Sequence, residues 1–289
     1  MNSKLYNWFL FVILCFIWGS SFILMKEGLK ELTAYEVAAM RMLSAGVILL
    51  PFALKGFRAI QRKDLGTIII TGLLGSFIPA ILFCVAETKI DSALAGMLNA
   101  LTPLFVITVG ALFFKSAVQW KKLLGVLVGF SGMLLLFFSK EGSTGAGNLF
   151  YASLILVATF CYGLNVNIIS HRLKHVGSLN IAAVAFVSLI IPSLLILILS
   201  GYFNHSFSDL SFIKATSASA VLGIFGTAVA SILFYMLMKR AGPLFSSMVT
   251  YGIPFVAVAW GLYAGETITL FQLFGLLIIL LGVYLANRQ

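Results

Sequence analysis

The sequence predicts an all-α integral membrane protein: ten transmembrane helices built as two inverted five-helix repeats. Three observations carry this. Of 289 residues, 61% are hydrophobic and only 10% charged, with a mean hydropathy of +1.08. A soluble domain of that size has too little core to hide so much apolar surface. The apolar residues also come in runs near the roughly 20 residues that a helix needs to cross a bilayer. Finally, one stretch recurs. Ser92 to Phe114, SALAGMLNALTPLFVITVGALFF, aligns at an offset of 151 with the stretch near residue 250, placing Met97 on Met248, Pro103 on Pro254 and Gly110 on Gly261. Upstream, Gly75, Ile81, Leu82 and Phe83 fall on Gly226, Ile232, Leu233 and Phe234. With one residue dropped, Gly125 and Gly132 fall on Gly275 and Gly282. A fixed offset across four hydrophobic segments marks one unit used twice.

The first repeat, residues 1–140, carries spans 7–25, 36–54, 65–86, 92–114 and 120–138. The second, residues 148–289, carries 148–170, 178–200, 216–238, 243–264 and 270–287. All are read as helices, because barrel strands would alternate over half that length. The first span is read as retained: Lys4 precedes it, but the run is long and has no small-x-small cleavage site before Gly19. Span 2 carries Arg41 about one turn in from its outer end, and span 3 ends at Glu87. Spans 4 and 9 are broken by Pro103 and Pro254. Span 5 holds Gly125, Gly129 and Gly132, small residues that let another helix approach closely. That close approach fits a dimer interface or packing on the adjacent span, and monomer and homodimer both stay open. Spans 5, 7 and 10 are almost purely aliphatic and are expected to face lipid.

Charge sorts with this topology. With the N-terminus in the cytoplasm, thirteen of the nineteen Lys and Arg fall inside, and of the acids only Asp64 does. The net charge of +10 is therefore the positive-inside bias rather than a nucleic-acid footprint. Both termini are expected in the cytoplasm. Five spans per repeat is odd, so the second copy enters the membrane upside down, a construction that recurs in secondary transporters.

At this point the residues resemble a known family. Trp18-Gly19-Ser20-Ser21-Phe22 resembles the WGSSF signature of the EamA family in the drug/metabolite transporter superfamily. Arg41 is similar to an arginine the family carries early in its second span. Gly265-Glu266 with Gln272, Gly275 and Gly282 resembles its closing motif. The sequence departs from the pattern at Lys115, where an acid is expected by symmetry with Glu266, and at Glu87-Thr88-Lys89, which replaces a small apolar stretch. The resemblance covers both repeats. It implies the drug/metabolite transporter fold, a multi-pass protein of a bacterial plasma membrane, and export of small organic solutes.

Polar residues concentrate on spans 1, 4, 6, 8 and 9, where amides and phenols at membrane depth need partners or water. The expected solute-binding set is Trp18, Ser21, Phe77, Asn99, Thr102, Pro103, Tyr162, Asn165, Thr227, Tyr235, Thr250, Tyr251 and Pro254. Ser20, Asn167, Ser231 and Ser247 share these spans, and Phe83 joins the aromatic candidates. Asn99, Thr102 and Pro103 lie on one helical face, and Pro103 and Pro254 free the carbonyls of Asn99 and Thr250. A kink made for packing is the competing reading. Arg41, Glu87 and Glu266 are the charged candidates. Arg41 either snorkels outward, pairs with Glu36 or Glu87, or guides an anionic group. Glu87 and Glu266 read as solvated span ends, although coupling through either stays open, since no acid lies at mid-membrane. Lys239-Arg240 is similar to a basic pair of sugar-phosphate carriers, but positive-inside bias explains it without a function.

No cofactor or metal is expected. Cys15, Cys84 and Cys161 are scattered in apolar runs, and His171, His175 and His205 are read in loops. An intramembrane enzyme would need a nucleophile with a base or a metal cluster, and the sequence has neither HExxH nor GxSG. A receptor or scaffold without flux gains nothing from two exchangeable halves. The expected partners are a small-molecule solute and the lipid bilayer.

Overall fold

The protein's structure, a computed structural model, describes residues 3–115, 120–138 and 146–287. The described residues are helical, with short connections and no strand. The first half holds α1 (Ser3–Gly19), α2 (Ser21–Gly28), α3 (Ala34–Ala59), α4 (Arg62–Gly72), α5 (Ile78–Glu87), α6 (Ser92–Asn99), α7 (Thr102–Phe114) and α8 (Trp120–Phe138). The second holds α9 (Ala146–Arg172), α10 (Ser178–Ser188), α11 (Ile190–Leu199), α12 (Leu210–Val221), α13 (Ala230–Ser247), α14 (Val249–Tyr263) and α15 (Leu270–Asn287). Among the described residues, seven helical segments are long and apolar enough to cross a bilayer. Three shorter apolar helices, Leu124–Leu135, Val249–Tyr263 and Leu270–Leu285, fall on the fifth, ninth and tenth expected spans. The chain is a helical, multi-pass membrane protein.

Side chains set several helix ends. Thr33 and Glu36 form a reciprocal capping box at the start of α3. Thr269 and Gln272 do the same for α15, with Thr269 N donating to Gln272 Oε1 at 2.9 Å. Spans are interrupted within the bundle. The chain turns at Ser20 between α1 and α2, at Ala100–Leu101 ahead of Pro103, and at Met248 between α13 and α14. Spans 3 and 8 each contain a π-helical stretch, Leu73–Phe77 and Leu222–Val229. Moved 151 positions, the first falls inside the second.

The helices pack across the two halves of the chain. α1 lies on α14 and α13, while α9 lies on α7 and α5. α3 packs on α10 and α11, and α8 packs on α15. The last pair is a glycine crossing. A Cβ on Gly132 would stand 2.7 Å from the carbonyl oxygen of Gly275, and one on Gly282 would stand 2.7 Å from that of Gly125. Backbones this close exclude any larger residue, so the span-5 glycines serve a contact within the chain, with span 10. Their outer faces stay exposed at Leu127, Leu134, Phe274 and Leu277. Span 7 departs from the lipid-facing expectation. Ile181 to Phe186 of α10 are all buried against α3, α4 and α13, while α11 is open at Ile191, Leu195, Ile198 and Leu199. Aliphatic composition does not separate lipid from a core made of equally apolar neighbours.

Candidate functional site

The breaks and π stretches surround a central cavity of about 90 Å³. Spans 1, 3, 4, 6, 8 and the start of span 9 wall it, with Arg41 reaching in from span 2. Of the expected solute-binding residues, Trp18, Ser21, Asn99, Thr102, Tyr162, Asn165, Thr227, Tyr235 and Thr250 line it, together with Phe83, Ser231 and Ser247.

Each side chain is placed by a specific local cause. In the Trp18 to Phe22 run, Trp18 Nε1 donates to Gly226 O at 2.9 Å. Gly19 admits α14, since a Cβ there would stand 3.0 Å from Ile253 O. Ser20 Oγ accepts from Trp260 Nε1 at 2.8 Å. The run thus clamps span 1 against spans 8 and 9 and leaves Ser21 and Phe22 on the cavity. The π stretches turn their spans by widening one helical turn. Gly75 and Ser76 face the cavity from span 3, and their counterparts Gly226 and Thr227 face it from span 8. Two aromatic groups complete the wall. Trp18 and Phe234 have centroids 5.1 Å apart, while Phe22, Phe83 and Tyr162 follow at 5.8 and 6.2 Å.

Arg41 is 8% exposed and lines the cavity. Its Nε donates to Thr227 Oγ1 at 2.6 Å, and one Nη approaches Met25 Sδ at 4.0 Å. It does not snorkel. Glu36 is unavailable as its partner, because that carboxylate caps α3 and accepts from Ser200 Oγ at 3.0 Å. Thr227 draws the guanidinium inward instead. Among the described residues no other charged side chain lines the cavity. Asn165 Oδ1 is buried with no hydrogen-bond partner.

Other expectations need correction. Phe77, Pro103, Tyr251 and Pro254 do not line the cavity. Phe77, the last residue of the π stretch, packs on the core one residue beyond Ser76. Pro103 and Pro254 are buried within α7 and α14. The Asn99 carbonyl is not loose: Thr102 Oγ1 donates to it at 2.8 Å. Tyr251, one position beyond Thr250, turns away to a groove with Phe245, Met248 and Tyr284. Neither acid is a solvated span end. Glu266 accepts from Ser92 N, Ser92 Oγ and Ala93 N, capping α6, while Lys26 Nζ lies 3.5 Å from it. Glu87 is 3% exposed. His171 belongs to the last turn of α9 rather than a loop. His175 pairs with Asp64 at 2.8 Å. Asn167 donates to Val106 O and Gly163 O, tying α9 to α7 outside the cavity wall. Lys239 donates to Val176 O, and Arg240 lies 4.8 Å over the Tyr6 ring. Both are used in contacts away from the cavity.

Sequence reasoning missed Phe22, Met25, Gly75, Ser76, Val166, Gly226 and Phe234 as cavity residues. For three pairs a signal existed: Gly75 and Gly226, aligned by the repeat, both face the cavity. Ser76 and Thr227, like Phe83 and Phe234, stand 151 positions apart, and both members of each pair face the cavity.

The model of the EamA-like transporter family matches residues 6–138 and 149–288. The inner membrane transporter YedA of Escherichia coli is 25% identical over 276 residues, covering 94% of this chain and 87% of that one. A Salmonella typhimurium protein named "probable amino-acid metabolite efflux pump" is 27% identical over 290 residues, 96% of this chain and 93% of its own. A solved crystal structure shares the fold with a TM-score of 0.68 at 16% identity, covering 98% of this chain and 96% of its own. With both halves matched, and with the motif residues holding spans 1, 8 and 9 around one cavity, the chain belongs to the EamA-like transporter family.

Proposed function

We propose that this transporter moves small organic solutes bearing a carboxylate, by alternating access of two inverted repeats, residues 1–140 and 148–289, around the central cavity. One observation carries the substrate reading: among the described residues the only charged side chain on the cavity wall is a buried arginine, whose Nε is held by Thr227 and one Nη by the weak acceptor Met25 Sδ, with its other Nη free of a protein partner. Arginine's planar fork suits a carboxylate. Asn99, Asn165 and Thr250 supply polar contacts, and the aromatic pairs supply apolar wall for the remainder of the solute. The relative named as an amino-acid metabolite efflux pump is in keeping with such a solute. Outward release is the direction the family resemblance implied; the cavity itself favours neither direction.

The alternating-access reading is supported by the packing. Span 1 rests on spans 8 and 9 as span 6 rests on spans 3 and 4, and spans 2 and 5 rest on their own counterparts. Exchanging the halves reproduces the same set of contacts, so two conformations related by that exchange have similar energies.

The test is counterflow in proteoliposomes with a radiolabelled mixture of L-amino acids. Asn99→Ala and Thr250→Ala are expected to slow exchange about fivefold to tenfold, the effect of losing one hydrogen bond. Methyl esters of the same amino acids, which lack the carboxylate, are expected not to compete. Unchanged exchange in both variants rejects the cavity as the solute site, and equal competition by the esters rejects Arg41 as the carboxylate's partner.

A further inference from the structure

Two carboxyl groups, Glu87 and Glu266, stand near Lys26, in opposite situations. The Glu266 oxygens are occupied by Ser92 N at 3.0 Å, Ser92 Oγ at 2.7 Å and Ala93 N at 3.0 Å, with Lys26 beside them. Glu87 ends α5, is 3% exposed, and has both carboxyl oxygens buried without a hydrogen-bond partner. Among the described residues it forms no ion pair either. The charged groups acting on it are Lys26 from α2, Arg41 from α3 and Glu266 from the turn after α14. Lys26 pairs with Glu266, and Arg41 Nε is held by Thr227. On its own helix stands Cys84, α9 brings Tyr162 and Cys161, and the π stretch has no titratable side chain. α6 has none either, and Asp91 precedes it.

A buried carboxylate with no hydrogen bond and no paired cation is costly, and a proton removes the charge. Glu266 needs no such relief. Arg41 stands on the cavity wall, and α3, which carries it, packs against α5, which Glu87 ends. We propose that Glu87 is the proton site of this transporter, linked through Arg41 to binding of an anionic solute in the cavity; this rests on the reading of Arg41 given above. The sign follows from Coulomb's law. An anion on Arg41 cancels the positive charge that favours ionised Glu87, so the carboxylate takes one proton from solvent on an oxygen. A proton on Glu87 in turn leaves the field of Arg41 to the solute. Linkage is reciprocal, so proton and solute bind together and are carried together.

The test uses the full chain in vesicles of phosphatidylethanolamine and phosphatidylglycerol, with the radiolabelled L-amino acid mixture as probe. In the wild type, an inward proton gradient is expected to drive accumulation, and binding is expected to tighten as pH falls. Glu87→Gln keeps the shape of the side chain and cannot ionise. It is expected to lose both the gradient response and the pH dependence while retaining counterflow exchange. Accumulation by Glu87→Gln equal to the wild type overturns the proposal. If the wild type moves none of the mixture, the substrate reading fails and infrared spectroscopy decides the proton site separately. An exchangeable carboxylic-acid C=O band that titrates in the wild type is expected to persist in Glu266→Gln and vanish in Glu87→Gln. A wild type lacking that band, or a Glu87→Gln protein retaining it, overturns the proposal.

Discussion

Among single residues, those that mark the family in the sequence turn out to be builders of the cavity more than its lining. Trp18 and Ser20 spend their polar groups on Gly226 O and Trp260, Glu266 caps α6, and Gln272 caps α15. Of the five-residue run in span 1, Trp18, Ser21 and Phe22 also reach the cavity. Glu266→Ala leaves the amides of Ser92 and Ala93, both buried, without their acceptor. It is expected to destabilise the fold by about 1–3 kcal/mol, read as a lower melting temperature in detergent. Arg41→Gln, which keeps a donor for Thr227 and removes the charge, is expected to remain folded and to lose competition between amino acids and the vesicle-bound label in counterflow. Arg41 shows where sequence reading runs out. Its position one turn inside span 2 allowed three fates, and the choice was made by Thr227, 186 positions away, together with the prior use of Glu36 in a cap.

Among the elements, irregular backbone does the placing. Spans 3 and 8 carry their π stretches at the same offset as the repeat, and each sets a glycine and a hydroxyl on the cavity. Aromatic character points to Phe77 as wall, yet the π stretch that ends at Phe77 turns its neighbour Ser76 to the cavity instead, a register that composition does not encode. The prolines were legible, but their consequence was not. The break in span 4 falls at Ala100–Leu101, and that in span 9 falls at Met248, well ahead of Pro254. The α8–α15 crossing depends on bare glycine backbones. Gly132→Leu has no room between the Gly275 carbonyl and the Ile279 amide, each 2.7 Å from the added Cβ. It is expected to separate spans 5 and 10 and to lower the melting temperature, whereas Leu134→Ala on the exposed face of α8 is expected to change it little.

On the scale of the whole molecule, the inverted arrangement proposed above predicts a topology that labelling can read. Lys115→Cys and Thr267→Cys stand on exposed positions near the ends of spans 4 and 9, and Cys15, Cys84 and Cys161 are buried. An impermeant thiol reagent is expected to reach position 267 from outside intact cells and position 115 only after the membrane is opened. Labelling of both from one side would remove the inverted reading and, with it, alternating access. The sequence by itself determined that this chain lives in a bilayer, that its elements are helices, and that one stretch of it recurs at a constant offset. Those conclusions rest on hydropathy, length and a constant offset, which are properties of the chain read along its own length. Only the tertiary structure decided which polar groups share the cavity, which carboxyl is saturated and which is left bare. Those outcomes depend on contacts between residues far apart in sequence and on helical register that local spacing does not encode.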